Sequence, residues 1–140
     1  MIRRQFLGRC LAVAGTVFAL PRAAHAGVRR AISTSAAHPT PRPGITAAKM
    51  MTAEQLERHK SVADAFEGIR AIPQIADGIR CHCGCADIPG YYSLLTCYEG
   101  TGAMALACPI CQGEGRMTAR LHKEGQTLDQ IRDALDARYG

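Results

Sequence analysis

The chain has no tryptophan, and aromatic residues account for only 5% of its 140 residues. From position 50 onward Phe66 is the only phenylalanine, so a core formed there is thin and only marginally stable by itself. No apolar run is long enough to span a membrane. No Ser/His/Asp set, phosphate-binding loop or carboxylate pair at catalytic spacing stands out, so the sequence carries none of these enzyme signals.

Positive charge is concentrated ahead of position 50. The whole chain carries 17 basic and 12 acidic residues, a net charge of +5. From position 50 onward the count is 9 basic and 12 acidic, a net charge of −3. The basic excess therefore belongs to the N-terminal part and gives no indication of nucleic-acid binding.

The first 26 residues have the layout of an export signal peptide. Arg3 and Arg4 precede Phe6, a mildly apolar run follows over positions 10–20, and Ala24-His25-Ala26 forms a small-x-small cleavage site. The arginine pair and the modest hydrophobicity favour the twin-arginine route over general secretion. We expect residues 1–26 to be removed and the mature protein to lie in the periplasm or outside the cell, without a membrane span.

Residues 27–49 contain prolines and no apolar periodicity, which predicts a disordered linker. Residues 50–140 are predicted to form one helical domain. A capping box at Thr52, with apolar residues on one face as far as Ile69, predicts a helix that ends ahead of Pro73. A further short helical turn is expected to lead into Cys81.

The C-terminal third predicts a helical hairpin. Pro109 suits the first position of a helix, and Gly125 suits its end. A second capping box at Thr127 starts a helix that reaches Tyr139. Residues 81–102 are punctuated by glycine and proline, which predicts a loop. The expected fold class is therefore mainly α, with a cysteine-rich loop packed on the hairpin.

Six of the seven cysteines fall between positions 81 and 111. They are Cys81, Cys83, Cys85, Cys97, Cys108 and Cys111. The first three are too close together for strain-free disulfides with one another. The C-x-x-C pair begins a helix, where backbone N–H groups and the helix dipole stabilise a thiolate. We expect the six thiols to converge, with the C-x-C-x-C loop over the start of that helix.

Metal binding is the function that this pattern favours. Soft thiolates select Cu(I), Zn²⁺ or, less readily, an iron–sulfur cluster, and His82 adds an imidazole. The predicted ligands are Cys81, Cys83, Cys85, Cys97, Cys108, Cys111 and His82. The expected partners are the metal ion, Cu(I) or Zn²⁺, and another redox or metal-handling protein of the periplasm.

Two alternatives remain open. Cys108-Pro109-Ile110-Cys111 has the C-P-x-C form of some disulfide oxidoreductases, which predicts a catalytic pair of Cys108 and Cys111, although no βαβ pattern surrounds it. Six cysteines in a small exported domain also suit three structural disulfides. The sequence thus favours a binding protein over an enzyme.

The run R-C-H-C-G-C at residues 80–85 resembles the motif of the PCYCGC family, which comprises small exported proteins without a settled biochemical function. The resemblance continues through Cys97, the C-x-x-C pair and residues 124–132, and it covers residues 61–140. Arg80 replaces the motif's proline and His82 its tyrosine. No lipobox is present, so lipid attachment is not implied. The resemblance implies an exported cysteine-rich protein.

A shorter resemblance involves the two ends of the predicted hairpin. C-P-I-C-Q at residues 108–112 and A-R-Y-G at residues 137–140 are similar to segments of the periplasmic thiol reductases of cytochrome c maturation. Those proteins have C-x-x-C-Q on a helical hairpin. The similarity implies such a scaffold and keeps the redox alternative open.

Overall fold

The computed structural model describes residues 37–140. Within this range the protein has five α-helices and no strand, so the predicted mainly α fold is confirmed. The helices are α1 (Ala53–Leu56), α2 (Ala63–Arg70), α3 (Pro73–Asp77), α4 (Pro109–Lys123) and α5 (Leu128–Tyr139). Short 3₁₀ turns at Cys85–Asp87, Leu95–Tyr98 and Met104–Leu106 fill the connection between α3 and α4. Among these residues no helix is both long and apolar enough to cross a membrane.

The C-terminal hairpin begins and ends at the residues that the sequence indicates. Pro109 is the first residue of α4. Gly125 follows the end of this helix with a φ of +83°, a conformation that glycine adopts at no steric cost. At the start of α5 the Thr127 hydroxyl accepts from the Gln130 amide, and the Gln130 side chain accepts from the Thr127 amide. The short connection between them makes the two helices antiparallel neighbours. Helix α4 runs away from the C-x-x-C pair at its start.

The prediction of one continuous helix from Thr52 to Ala71 is wrong. Helix α1 ends at Leu56, and α2 begins only at Ala63. The residues at positions 57–61 are all polar and none is buried, so a helix through them would gain no packing. The chain turns instead, with the Val62 amide donating to the His59 carbonyl, and this turn buries both Leu56 and Val62.

Close packing of α2 and a buried tyrosine against α4 depends on small residues. A Cβ at Gly68 would lie 2.8 Å from that of Ala119, so the two helices approach almost backbone to backbone. The fully buried Tyr98 crosses α4 at Gly115 and donates its hydroxyl to the carbonyl of Cys111 at 2.6 Å. Its ring packs edge-on against Phe66, at 4.8 Å between centroids. Tyr98 thus connects the thin aromatic core to the start of α4.

The predicted disordered linker does not hold for its described part, residues 37–49. The Arg42 guanidinium forms a two-pronged ion pair with Asp77, at 3.0 Å and 2.6 Å, and the Arg42 amide donates to the same carboxylate at 2.8 Å. Asp77 is fully buried and also accepts from the Ser93 hydroxyl. This long-range pairing ties the segment to α3, because the buried carboxylate needs the guanidinium as its partner. Residues 27–36 and the predicted signal at 1–26 lie outside the described residues.

Candidate metal centre

Four cysteine sulfurs come together in the interior. The Sγ atoms of Cys81, Cys83, Cys97 and Cys111 all lie within 4.8 Å of one another. Cys83 Sγ is 3.3 Å from that of Cys81 and 3.5 Å from that of Cys111, and the Cys81 and Cys111 sulfurs are 3.6 Å apart. Around one tetrahedral ion with Zn–S bonds of about 2.3 Å the sulfurs are about 3.8 Å apart. The cluster is therefore compatible with metal binding.

Each of the four sulfurs is positioned by a different local structure. Cys81 follows the buried Ile79, whose carbonyl accepts from the Leu94 amide and so holds the start of the loop. Cys83 lies in the turn after it. Cys97 lies in the 3₁₀ turn Leu95–Tyr98, and Cys111 lies in the first turn of α4. Convergence from separate segments means that a shared ligand would link the loop to the hairpin.

The two remaining thiols flank this group of four. Cys85 is buried and follows Cys83 by two positions. Cys108 is half-buried immediately before α4, three positions ahead of Cys111. All six described cysteines are free thiols. Of the six cysteines predicted as ligands, the structure thus brings four sulfurs into one group and leaves two outside it.

The thiols differ in how readily they lose their protons. The contact with Cys111, together with burial, raises the pKa of Cys81 well above its ordinary value. Burial also raises the pKa of Cys85 to about 11. Burial acts the same way on Cys83, but hydrogen bonds from neighbouring thiols outweigh it and hold the pKa of Cys83 below its ordinary value. An ion that binds here must therefore displace protons from the other thiols, which makes its affinity depend on pH.

His82 does not join the thiols. Its Nδ1 lies 2.5 Å from Glu114 Oε1, and its Nε2 lies 2.9 Å from Asp136 Oδ1. With both carboxylates ionised, each can only accept, so both ring nitrogens then donate and neither has a lone pair for a metal. The hydrogen bond to Glu114 accordingly raises the pKa of His82. The structure places His82 outside the group of four sulfurs, so its role as a ligand stays a prediction; adjacent side chains leave the backbone in different directions, and residue type alone does not reveal which one faces the sulfurs.

Glu114 is a site residue that the sequence analysis missed. It is fully buried, and its Oε1 also accepts from the His82 amide at 3.0 Å. Among the described residues its Oε2 has no hydrogen-bond partner. Glu114 therefore fixes the backbone of the C-x-C-x-C loop against α4. The available signal was its spacing, because a residue three positions after Cys111 lies on the same helical face.

The hydrogen bonds around His82 extend to Arg80, the residue before Cys81. Asp136 Oδ1 accepts from His38 Nε2 at 2.9 Å, and His38 Nδ1 accepts from the Arg80 amide at 3.0 Å. Both neighbours of Cys81 are thus anchored through their backbone amides, by His38 on one side and by Glu114 on the other. This arrangement orients the first cysteine of the loop toward the cluster.

Comparisons with protein-family models, with curated proteins and with solved structures gave no match.

Proposed function

We propose that this protein is an exported binding protein for a thiophilic metal ion, held by the thiolates of Cys81, Cys83, Cys97 and Cys111. The observation that carries the proposal is the convergence of these four sulfurs within 4.8 Å. Four thiolates around one point form the ligand set of structural zinc sites, and this set of four favours Zn²⁺ over Cu(I). A multi-iron cluster holds its cysteine sulfurs further apart than a single ion does.

The geometry gives less support to the redox alternative. The rate of thiol–disulfide exchange depends on access to the reacting sulfurs. Here Cys111 is fully buried, and its sulfur lies 3.6 Å from that of Cys81 and 3.5 Å from that of Cys83. Cys111 therefore contacts two thiols outside the C-x-x-C pair, as expected of sulfurs that bind one metal ion together. We therefore propose a binding protein rather than an enzyme.

Folding and metal binding are coupled in this proposal. The core is poor in aromatic residues, and the loop has only short 3₁₀ turns of its own. An ion that joins the loop to α4 supplies stability that the apolar core lacks. Its removal is expected to loosen the loop first.

Export by the twin-arginine route is part of the proposal and rests on the sequence of residues 1–26. This route carries folded proteins, so the ion can be loaded in the reducing cytoplasm. A metal-handling protein of the periplasm is the proposed partner. The test is the R3K/R4K variant, which should remain in the cytoplasm. Its normal appearance in the periplasm would contradict this part of the proposal.

The metal test uses the full chain, purified anaerobically from the cytoplasm. Elemental analysis should find stoichiometric zinc or copper, and Co²⁺ should give the absorption of a tetrahedral thiolate complex. The variant C97A should lose more affinity than the roughly 10–100-fold that loss of an outer-shell partner costs. The matched control is C10A, because Cys10 lies outside positions 81–111. Absence of any stoichiometric metal would overturn the proposal.

A further inference from the structure

We propose that Cys83 and Cys111 form a disulfide bond when an external disulfide oxidises the protein, and that this bond excludes the metal ion. The second half of the inference rests on the proposed function, because the disulfide uses two of the four sulfurs assigned to the ion. The oxidant is a disulfide of another molecule, and glutathione disulfide serves as its probe.

Three sulfurs lie so close together that a disulfide between two of them requires only a small movement. Cys83 Sγ is 3.5 Å from Cys111 Sγ and 3.3 Å from Cys81 Sγ, and the sulfurs of Cys81 and Cys111 are 3.6 Å apart. The S–S bond of a disulfide is about 2.05 Å long, so the first pair must approach by about 1.5 Å. Cys83 lies in a turn and outside any helix, where its side chain can make this movement.

Sequence separation and burial single out Cys83 and Cys111 among these three. Cys81 and Cys83 are too close in sequence for a disulfide without strain. Cys81 and Cys111 are only 1% and 0% exposed, so an external molecule reaches neither sulfur. Cys83 is half-buried, whereas the other three cysteines of the group of four are buried. Oxidation within this group therefore begins at Cys83, and Cys111 contacts it from a position 28 residues further along the chain.

The reaction consists of two thiol–disulfide exchange steps. The Cys83 thiolate attacks one sulfur of the external disulfide, forms a mixed disulfide and expels one external thiolate. The Cys111 thiolate then attacks the Cys83 sulfur and expels the second external thiolate. The two cysteines lose two electrons and two protons, and the external disulfide becomes two thiols. Cys111 needs no access to solvent, because the sulfur that it attacks is its neighbour.

The disulfide would replace the ion as the link between the loop and α4. Cys111 lies in the first turn of α4, and Cys83 lies in the loop. Of the group of four, only the thiols of Cys81 and Cys97 would remain, fewer than the four ligands of a structural zinc site. A bound ion would conversely occupy both reacting sulfurs and slow their oxidation. The ion would thus leave under oxidising conditions while the loop stays attached to the hairpin.

The test is oxidation of the reduced, metal-free full chain with glutathione disulfide, followed by peptide mapping without reductant. Chymotrypsin is the suitable protease, because tyrosine and leucine residues at positions 91–106 separate the loop from the C-x-x-C pair. Trypsin would leave all six cysteines in one peptide, residues 81–116. Mass spectrometry should find a loop peptide joined to a hairpin peptide, and fragmentation should locate the bond at Cys83 and Cys111.

Variants and zinc release provide further readouts. C83S and C111S should lose the joined peptides, whereas C85S and C108S, the matched controls in the same two segments, should keep them. Circular dichroism establishes that each variant keeps its helices. In the wild type loaded with one equivalent of Zn²⁺, glutathione disulfide should release the zinc to a chromogenic chelator as the joined peptides form. Dithiothreitol should restore zinc binding.

The outcomes separate this inference from the proposed function. A bond between Cys108 and Cys111 or between Cys83 and Cys97, or no disulfide at all, in a chain that binds zinc would overturn the inference and leave the proposed function intact. The expected bond in a chain that never binds zinc would support the disulfide and overturn the proposed function. Zinc retained by the oxidised protein would contradict the exclusion of the ion. If C83S or C111S fails to fold, the peptide map of the wild type decides alone.

Discussion

Replacing Gly115 with alanine tests whether the start of α4 depends on its close contact with Tyr98. A Cβ at this position would lie 1.9 Å from the Tyr98 hydroxyl oxygen, 2.8 Å from its Cζ and 3.3 Å from Ile69 Cγ1. Tyr98 is fully buried against Phe66, so the ring has no free space in which to move. The substitution must displace the tyrosine, the helix or both.

The expected loss of stability follows from three contributions. Alanine in a helix interior gains about 1 kcal/mol over glycine. Overpacking of the core costs about 1–3 kcal/mol. Displacement of Tyr98 also breaks its bond to the Cys111 carbonyl and leaves a buried hydroxyl unpaired, at about 1–3 kcal/mol. We therefore expect G115A to lower the free energy of unfolding by about 3 kcal/mol, out of the total of roughly 5–15 kcal/mol that is usual for a domain.

Urea denaturation followed by circular dichroism measures this difference. The matched control is G113A, whose Cβ would lie 2.6 Å from the Tyr139 hydroxyl, the end of a side chain that is only partly buried and can move aside. We expect G113A to change the stability by less than about 1 kcal/mol. The double variant Y98F/G115A should recover part of the loss. Equal stability of G115A and the wild type, or equal losses in both glycine variants, would refute the reasoning.

Three further predictions concern the segment before the domain, the loop and the ion. Burial raises the pKa of Asp77, but hydrogen bonds from Arg42 outweigh it and hold the pKa below its ordinary value. The contribution of the ionised Asp77 to stability is therefore present above about pH 4 and declines as the pH falls through its lowered pKa in the folded protein. Acid unfolding curves should accordingly show that the free energy of unfolding of D77N depends less on pH than that of the wild type. E114A should weaken Zn²⁺ binding about 10–100-fold with unchanged helix content, whereas E124A, at the exposed end of α4, should have no effect. Saturating Zn²⁺ should raise the thermal midpoint, and a chelator should reverse this; equal midpoints with and without Zn²⁺ would contradict the coupling.

Local sequence signals predicted the C-terminal hairpin because each of them acts within a few residues. Pro109, Gly125 and the capping box at Thr127 begin and end helices through their own backbone and side-chain geometry. The cysteine spacing likewise indicated a thiol cluster. It did not reveal the division into four central and two flanking sulfurs, which depends on how the turns at positions 84 and 97 direct the chain.

The features that sequence reasoning missed are all tertiary. The helix breaks after Leu56 because the polar stretch that follows would gain no packing. A pattern of apolar residues at helical spacing does not indicate such a break. The contact between Arg42 and Asp77 joins residues 35 positions apart. The orientation of His82 depends on Glu114 and Asp136, which lie on two different helices. In the last two cases the deciding partner is distant in sequence.

Zinc K-edge X-ray absorption of the full chain loaded with one equivalent of Zn²⁺ tests the central claim most directly. The account predicts a first shell of four sulfurs at about 2.3 Å, with no nitrogen ligand, because His82 is engaged by carboxylates. A shell that contains imidazole nitrogen, or protein that retains no zinc after desalting, would contradict it.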